Sequence, residues 1–98
     1  MSMIQIIEFV TRQPDEMKAL GDKYIADTEG RRTVTRSSIY MDQAEPHRYI
    51  AVVEFPGRFE AMENDNLPET EEFAENLAEL CEGPLTYRNF ELVHAFIK

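Results

Sequence analysis

Few residues in this chain have side chains suited to chemistry, and two of them arrive as a repeat. Ile6-Ile7-Glu8-Phe9-Val10-Thr11-Arg12 and Val52-Val53-Glu54-Phe55-Pro56-Gly57-Arg58 each set two branched aliphatics before Glu-Phe and an Arg four residues after the Glu. A carboxylate in an apolar strand is either a polar anchor or base at a cavity rim, or one half of an ion pair, and the trailing arginines leave both readings open. The ion-pair partners would be Arg12, Arg58 or an arginine of the second strand. His47 and His94 are the two imidazoles, and His94, on the apolar face of the last strand-like segment, is the group best suited to move a proton near neutral pH. Asn64 and Asn66 stand at a break before Pro68, where they either cap a helix or offer amides to a ligand. Tyr40, Tyr49, Tyr87 and Arg36 add hydroxyl and guanidinium donors on strands, with ordinary packing as the competing use of the tyrosines. There is no H-x-x-x-H step or cysteine cluster, so no metal site is expected. Nor is there a Ser-His-Asp arrangement, a phosphate loop or a dinucleotide fingerprint.

The elements that must position these groups are set by periodicity. Residues 3–10 are apolar at nearly every position and rich in Ile and Val, which predicts a strand covered on both faces. Gln13-Pro14-Asp15-Glu16 supplies a helix start, and Met17, Leu20, Gly21, Tyr24 and Ile25 make one apolar stripe of a helix ending near Gly30. Residues 31–41 are β-branched but unusually polar, as suits an edge strand, and the turn at 42–46 closes a hairpin onto a strand at 47–55. Pro68 divides the next stretch into a short helix from Arg58 to about Asp65 and a longer one stopped by Gly83-Pro84. Residues 85–97 alternate as a last strand, with Phe90, Leu92, His94 and Phe96 on one face.

The order βαββαβ predicts one α+β domain over 1–98 with a ferredoxin-like, four-stranded antiparallel sheet. Strands 1 and 3 are expected as central neighbours running parallel, related by a pseudo-twofold, with Glu8 and Glu54 at matching ends. Two helices cover one face of such a sheet, yet strands 1 and 3 are apolar on both, so a homodimer through the open sheet face is expected.

Composition excludes several classes. With 98 residues, 43% hydrophobic, the chain is long enough for a modest core. A net charge of −9 argues against nucleic acid, whose phosphates need clustered cations. Nine acidic residues and no Lys or Arg lie between Arg58 and Arg88, a solvated helix face or a dock for a basic partner. No apolar run approaches the roughly 20 residues that span a bilayer, no signal sequence opens the chain, and the single Cys81 suits a reducing compartment, so the cytoplasm is expected and a membrane is not.

The segment Arg58-Phe59-Glu60-Ala61-Met62-Glu63-Asn64-Asp65-Asn66-Leu67-Pro68-Glu69-Thr70-Glu71-Glu72-Phe73, followed by Leu80 and Gly83-Pro84, resembles the dimeric α/β-barrel superfamily and, within it, antibiotic-biosynthesis-monooxygenase-like proteins. Relatives commonly carry a His where this chain has Asn64, a Ser-Pro-His step where it has Leu67-Pro68-Glu69, and a Trp that is absent here. The resemblance implies a dimeric α/β barrel and oxygenation without a cofactor of a small aromatic, polyketide-like molecule that itself activates oxygen, with isomerisation or another proton transfer as the second choice. On that reading Asn64 and His94 are the candidate catalytic residues, and Tyr49, Asn66, Tyr87, Arg36, Tyr40 and Glu54 the candidate substrate contacts. Haem-degrading relatives use a second-helix His, a first-strand Asn and a Trp; this chain has none of the three, so no cofactor is expected. A non-catalytic binding or interaction dimer is the rival from another class.

Overall fold

The computed structural model describes residues 2–98, and the two repeat-bearing segments form its centre. The elements run β1 (Met3–Val10), α1 (Pro14–Asp27), β2 (Arg36–Met41), β3 (Arg48–Phe55), α2 (Arg58–Asp65), α3 (Pro68–Leu80) and β4 (Thr86–Glu91). The sheet order is β2-β3-β1-β4, and every pairing is antiparallel. The ferredoxin-like layout is therefore as expected, but β1 and β3 are not parallel. Chain direction gives the reason: α1 carries the chain back, β2 sets out along β1, and the hairpin then reverses β3. Ile4 pairs with Glu54 and Glu8 with Ile50, so Ile6 faces Val52, its own counterpart in the repeat, and an internal twofold passes between them. Glu8 and Glu54 consequently lie toward opposite ends of the sheet.

Alternation assigns the two faces. Ile7, Phe9 and Ala51 point toward the helices and join Met17 of α1 and Leu77 of α3 in the buried cluster. Ile4, Ile6, Val10, Ile50 and Val52 point the other way, half-buried only by one another and their strand neighbours, with no helix over them.

Three boundaries have physical causes outside the local pattern or within it. At Pro68 the expected break holds, and Leu67 takes the extended backbone that a following proline favours. The second strand is shorter than expected, because residues 31–35 are a crossing loop held by side chains: Thr33 Oγ1 donates to the Glu60 carbonyl and Thr35 Oγ1 to that of Glu54. The last strand stops at Glu91 rather than 97. Glu91 pairs with Met3, the first residue of β1, and one further bond runs from Leu92 N–H to the Ser2 carbonyl. Residues 92–98, His94 among them, are exposed.

One buried threonine closes the packed end of the structure. Thr11 is wholly buried, its hydroxyl donates to the Leu80 carbonyl at 2.7 Å and accepts from Gln13 N–H at 3.1 Å, and its backbone bridges to Cys81. Thr11→Val keeps the shape but leaves both groups without that partner, so chemical denaturation should show a loss of about 1–3 kcal/mol.

Candidate functional site

The helices do not seal onto the sheet along their whole length. Beyond the buried cluster a cavity of about 310 Å³ opens between them, walled by Ile7, Phe9, Ala51, Val53 and Phe55 of the central strands, by Ile39 of β2 and by Met17, Gly21, Tyr24 and Ile25 of α1. Gly21 is one cause of the space: a Cβ built there would meet nothing within 4 Å. The volume and the apolar walls fall in the range of small-ligand sites.

Among the polar groups that line this cavity, those of the α2–α3 junction form a connected network. Asn64, only 4% exposed, accepts from Thr33 N–H at 3.2 Å and donates to the Tyr24 hydroxyl at 2.9 Å. That hydroxyl also contacts Thr70 Oγ1 at 2.8 Å, and Thr70 donates back to the Asn64 carbonyl. The network ties α1, the crossing loop, α2 and α3 together, and it leaves the Asn64 amide one N–H and one lone pair for a ligand. The Asn64 side chain caps no helix end, since Asn66 is the C-cap of α2; it joins the crossing loop to α1 at the cavity wall.

The other expected site residues are dispersed. Tyr49 stacks on Phe9 with ring centroids 5.8 Å apart and lines a separate hollow of about 150 Å³ with Tyr40 and Arg48. Arg36 and Glu54 are opposite one another on β2 and β3 and approach to 3.8 Å, on the sheet face away from the helices. Asn66 is the C-cap of α2, its backbone N–H bonding the Met62 and Glu63 carbonyls. Tyr87 lies on β4 near Cys81, and desolvation followed by that thiol pushes its phenol above the ordinary tyrosine range; burial also raises Cys81. His94 sits outside β4 in the exposed terminal segment. The structure therefore brings Asn64 to the cavity and leaves His94, Tyr49, Tyr40, Arg36, Glu54, Asn66 and Tyr87 elsewhere.

The glutamate question resolves toward ion pairs, with one partner not foreseen. Glu54 meets Arg36 of β2, as allowed, but Glu8 meets Arg48 of β3 at 3.0 Å. Arg12 pairs instead with Glu82 at 3.1 Å. Residues four apart on a strand are separated by about 13 Å, whereas a diagonal neighbour on the adjacent strand is within reach. Glu8 and Arg48 are such diagonal neighbours, since Arg48 is opposite Val10.

Gln5, Gly21, Tyr24 and Asp65 are among the cavity residues not expected at a site from the sequence. Gly21 and Tyr24 carry a signal, because a glycine beside an aromatic in an apolar helical stripe marks a place where the helix does not fill its groove. The acidic α3 is also less free than its composition suggests. Arg31 holds Glu69 at 2.6 Å and keeps its carboxyl below the usual glutamate range, and Lys23 approaches Glu72 at 3.5 Å. Among the described residues no group of three or more His, Cys, Asp and Glu could hold a metal ion, and no helix is long and apolar enough to cross a membrane.

No family model matches the chain, and no curated protein matches it in sequence. Solved structures do match in shape. A mutant of SnoaB, a cofactor-independent oxygenase from Streptomyces nogalater, superposes with a TM-score of 0.83 at 12% identity over 99% of this chain and 98% of that one. Rv0793 from Mycobacterium tuberculosis gives 0.78 at 15% identity, covering 97% and 98% of the two chains. An antibiotic biosynthesis monooxygenase gives 0.74 at 14% identity, covering 96% and 100%. The chain shares with these proteins, from end to end, the ferredoxin-like fold that its segment around Pro68 resembles.

Proposed function

We propose that this protein binds a planar aromatic molecule in the cavity between its sheet and α1 and oxygenates it without a cofactor. The observation that carries the reading is the cavity itself: apolar walls on most sides and one buried amide, Asn64, with hydrogen-bonding capacity left over. The match in fold to a cofactor-independent oxygenase supports it. Oxygenation without a cofactor requires the substrate to supply every electron that dioxygen accepts, which selects an electron-rich polycyclic phenol or hydroquinone. The protein's share is then to orient the ring, exclude water and hold its polar substituents.

The test is dioxygen uptake with 1,8-dihydroxyanthrone, whose ring methylene becomes a carbonyl as one oxygen atom enters it and the other leaves as water with the two hydrogens. With ¹⁸O₂, one label should appear in the product and uptake should exceed the buffer rate. Binding without accelerated uptake would move the protein to the non-catalytic class. Of the α3 acids, Glu69 and Glu72 are engaged by cations of the same chain, which reduces the charge that the basic-partner form of that class would use.

The assembly belongs to the same reading. A homodimer would cover Ile4, Ile6, Val10, Ile50 and Val52, and it would give the terminal segment, where Val93, Phe96 and Ile97 are 90%, 88% and 90% exposed, apolar surface to pack on. The cytoplasm suits its single free thiol.

A further inference from the structure

A second cavity, of about 350 Å³, lies beside the first, between α2 and the end of the sheet where β1 starts. Gln5, Phe55 and Asp65 line both. The boundary is therefore a waist with one aromatic wall and polar groups. Gln5 Nε2 donates to Asn89 Oδ1 at 3.2 Å, so that amide is engaged across the strands. The side chain of Asp65, the last residue of α2, has no hydrogen-bond or ion-pair partner among the described residues. The other charged groups lining the two cavities are Lys18 and Asp22 of α1, Arg32 after it, Arg58 at the start of α2 and Glu91 at the end of β4. Arg32 donates to the Ile25 carbonyl and approaches Glu29. Asp65 is itself exposed, at the open side of the waist, and partial desolvation by the neighbouring walls raises the pKa of its carboxyl above the ordinary aspartate value.

We propose that Asp65 is the hydrogen-bond acceptor that selects a neutral hydroxyl group on an aromatic ligand lying across this waist. The inference rests on the arene-binding reading above and adds which substituent the site requires and where. The chemistry favours a hydroxyl over the alternatives. A phenolate would set a second anion against the carboxylate. An ammonium brings three donors and a full charge to a waist where Asp65 is the one carboxylate that lines both cavities, so two of its donors would be left without a partner there. A hydroxyl has one proton, and one carboxylate oxygen satisfies it. Gln5 cannot replace Asp65 in this, because an amide offers the ligand oxygen a donor as readily as an acceptor and does not discriminate phenol from phenolate.

The test uses two probes of nearly equal shape, 4-nitrophenol and 4-nitroanisole, which differ in the hydroxyl proton. The unaltered protein should bind both, and the ionisation of bound 4-nitrophenol, followed by its visible absorbance, should move to higher pH by about one unit, the shift that corresponds to a tenfold preference for the neutral form. Asp65→Asn should lower 4-nitrophenol affinity about tenfold, return its ionisation toward the free value and leave 4-nitroanisole binding unchanged. Asp65→Glu, which keeps the carboxylate, should preserve the upward shift. Equal losses for both probes in Asp65→Asn, or a bound ionisation that ignores the substitution, would overturn the inference while leaving the cavity reading intact. If the unaltered protein binds neither probe, both fail together.

Discussion

A Gly21→Phe protein is expected to fold at least as stably as the unaltered chain and to lose arene binding, and with it any oxygenation, by about a hundredfold or more, because the new ring and the ligand claim one volume. Stability is not expected to suffer, for two reasons. Gly21 is the seventh position past Pro14 in a helix that runs to Asp27, so its backbone freedom is a cost in the folded chain: an interior helical glycine is about 0.5–1 kcal/mol worse than alanine, and phenylalanine recovers part of that. A side chain there also meets open space rather than packed atoms. Helical side chains lean toward the N-terminus, so the ring would settle over the turn that carries Met17 and Lys18, at the apolar end of the cavity. Gly21→Ala separates the two effects: a methyl group takes the helix gain while occupying little of the 310 Å³, so binding should stay near the unaltered value as thermal stability rises. Isothermal titration with a naphthol and a thermal melt would report both quantities. Undiminished binding by Gly21→Phe would place the ligand somewhere other than between α1 and the sheet.

The contrast between Gly21 and Glu8 shows which parts of the fold are legible in the chain. Strand and helix identity is legible because local signals agree: Ile and Val at both parities in β1 and β3, proline at the first turn of α1 and α3, and Pro68 dividing α2 from α3. The antiparallel sheet is legible in the βαββαβ order, but the repeat misleads about its central pair, because it suits parallel pairing as well as it suits an internal twofold that pairs its two copies head to tail, and the molecule uses the twofold. Spacing along one strand likewise suggests Arg12 for Glu8, although ion pairs in a sheet are made across strands, and Arg48 is identifiable only once the register is known. β4 stops at the pairing of Glu91 with Met3, where β1 begins, although the alternation of residues 92–98 reads as strand throughout. Asp65 is hidden for another reason. It is one of nine acids in a run without a cation, and nothing local distinguishes the one that faces a cavity from those that face water. Asn64 stands out because an amide beside a helix-breaking proline is unusual enough to raise the question, and its burial then decides how it is used.

The largest effect on assembly is expected from Ile6→Glu. Ile6 sits on the internal twofold opposite Val52, at the centre of the sheet face that no helix covers. In a homodimer built on that face the substitution would place one carboxylate from each copy in the middle of an apolar contact, and an unpaired buried charge costs several kcal/mol. The unaltered chain, 11.4 kDa, should sediment at about twice that mass at micromolar concentration, and Ile6→Glu at the single-chain mass. The variant should still fold, because its side chain projects away from Ile7, Phe9, Met17, Ala51 and Leu77, the cluster that holds the helices to the sheet. Far-ultraviolet circular dichroism on the monomeric fraction checks this. Ile7→Glu is the matching control: one residue along, it enters that cluster and should unfold the chain rather than dissociate it. An unaltered chain that sediments as a monomer would remove the homodimer, and the half-buried Ile4, Ile6, Val10, Ile50 and Val52 would then have to be covered by a different partner or stand in water as one contiguous apolar face.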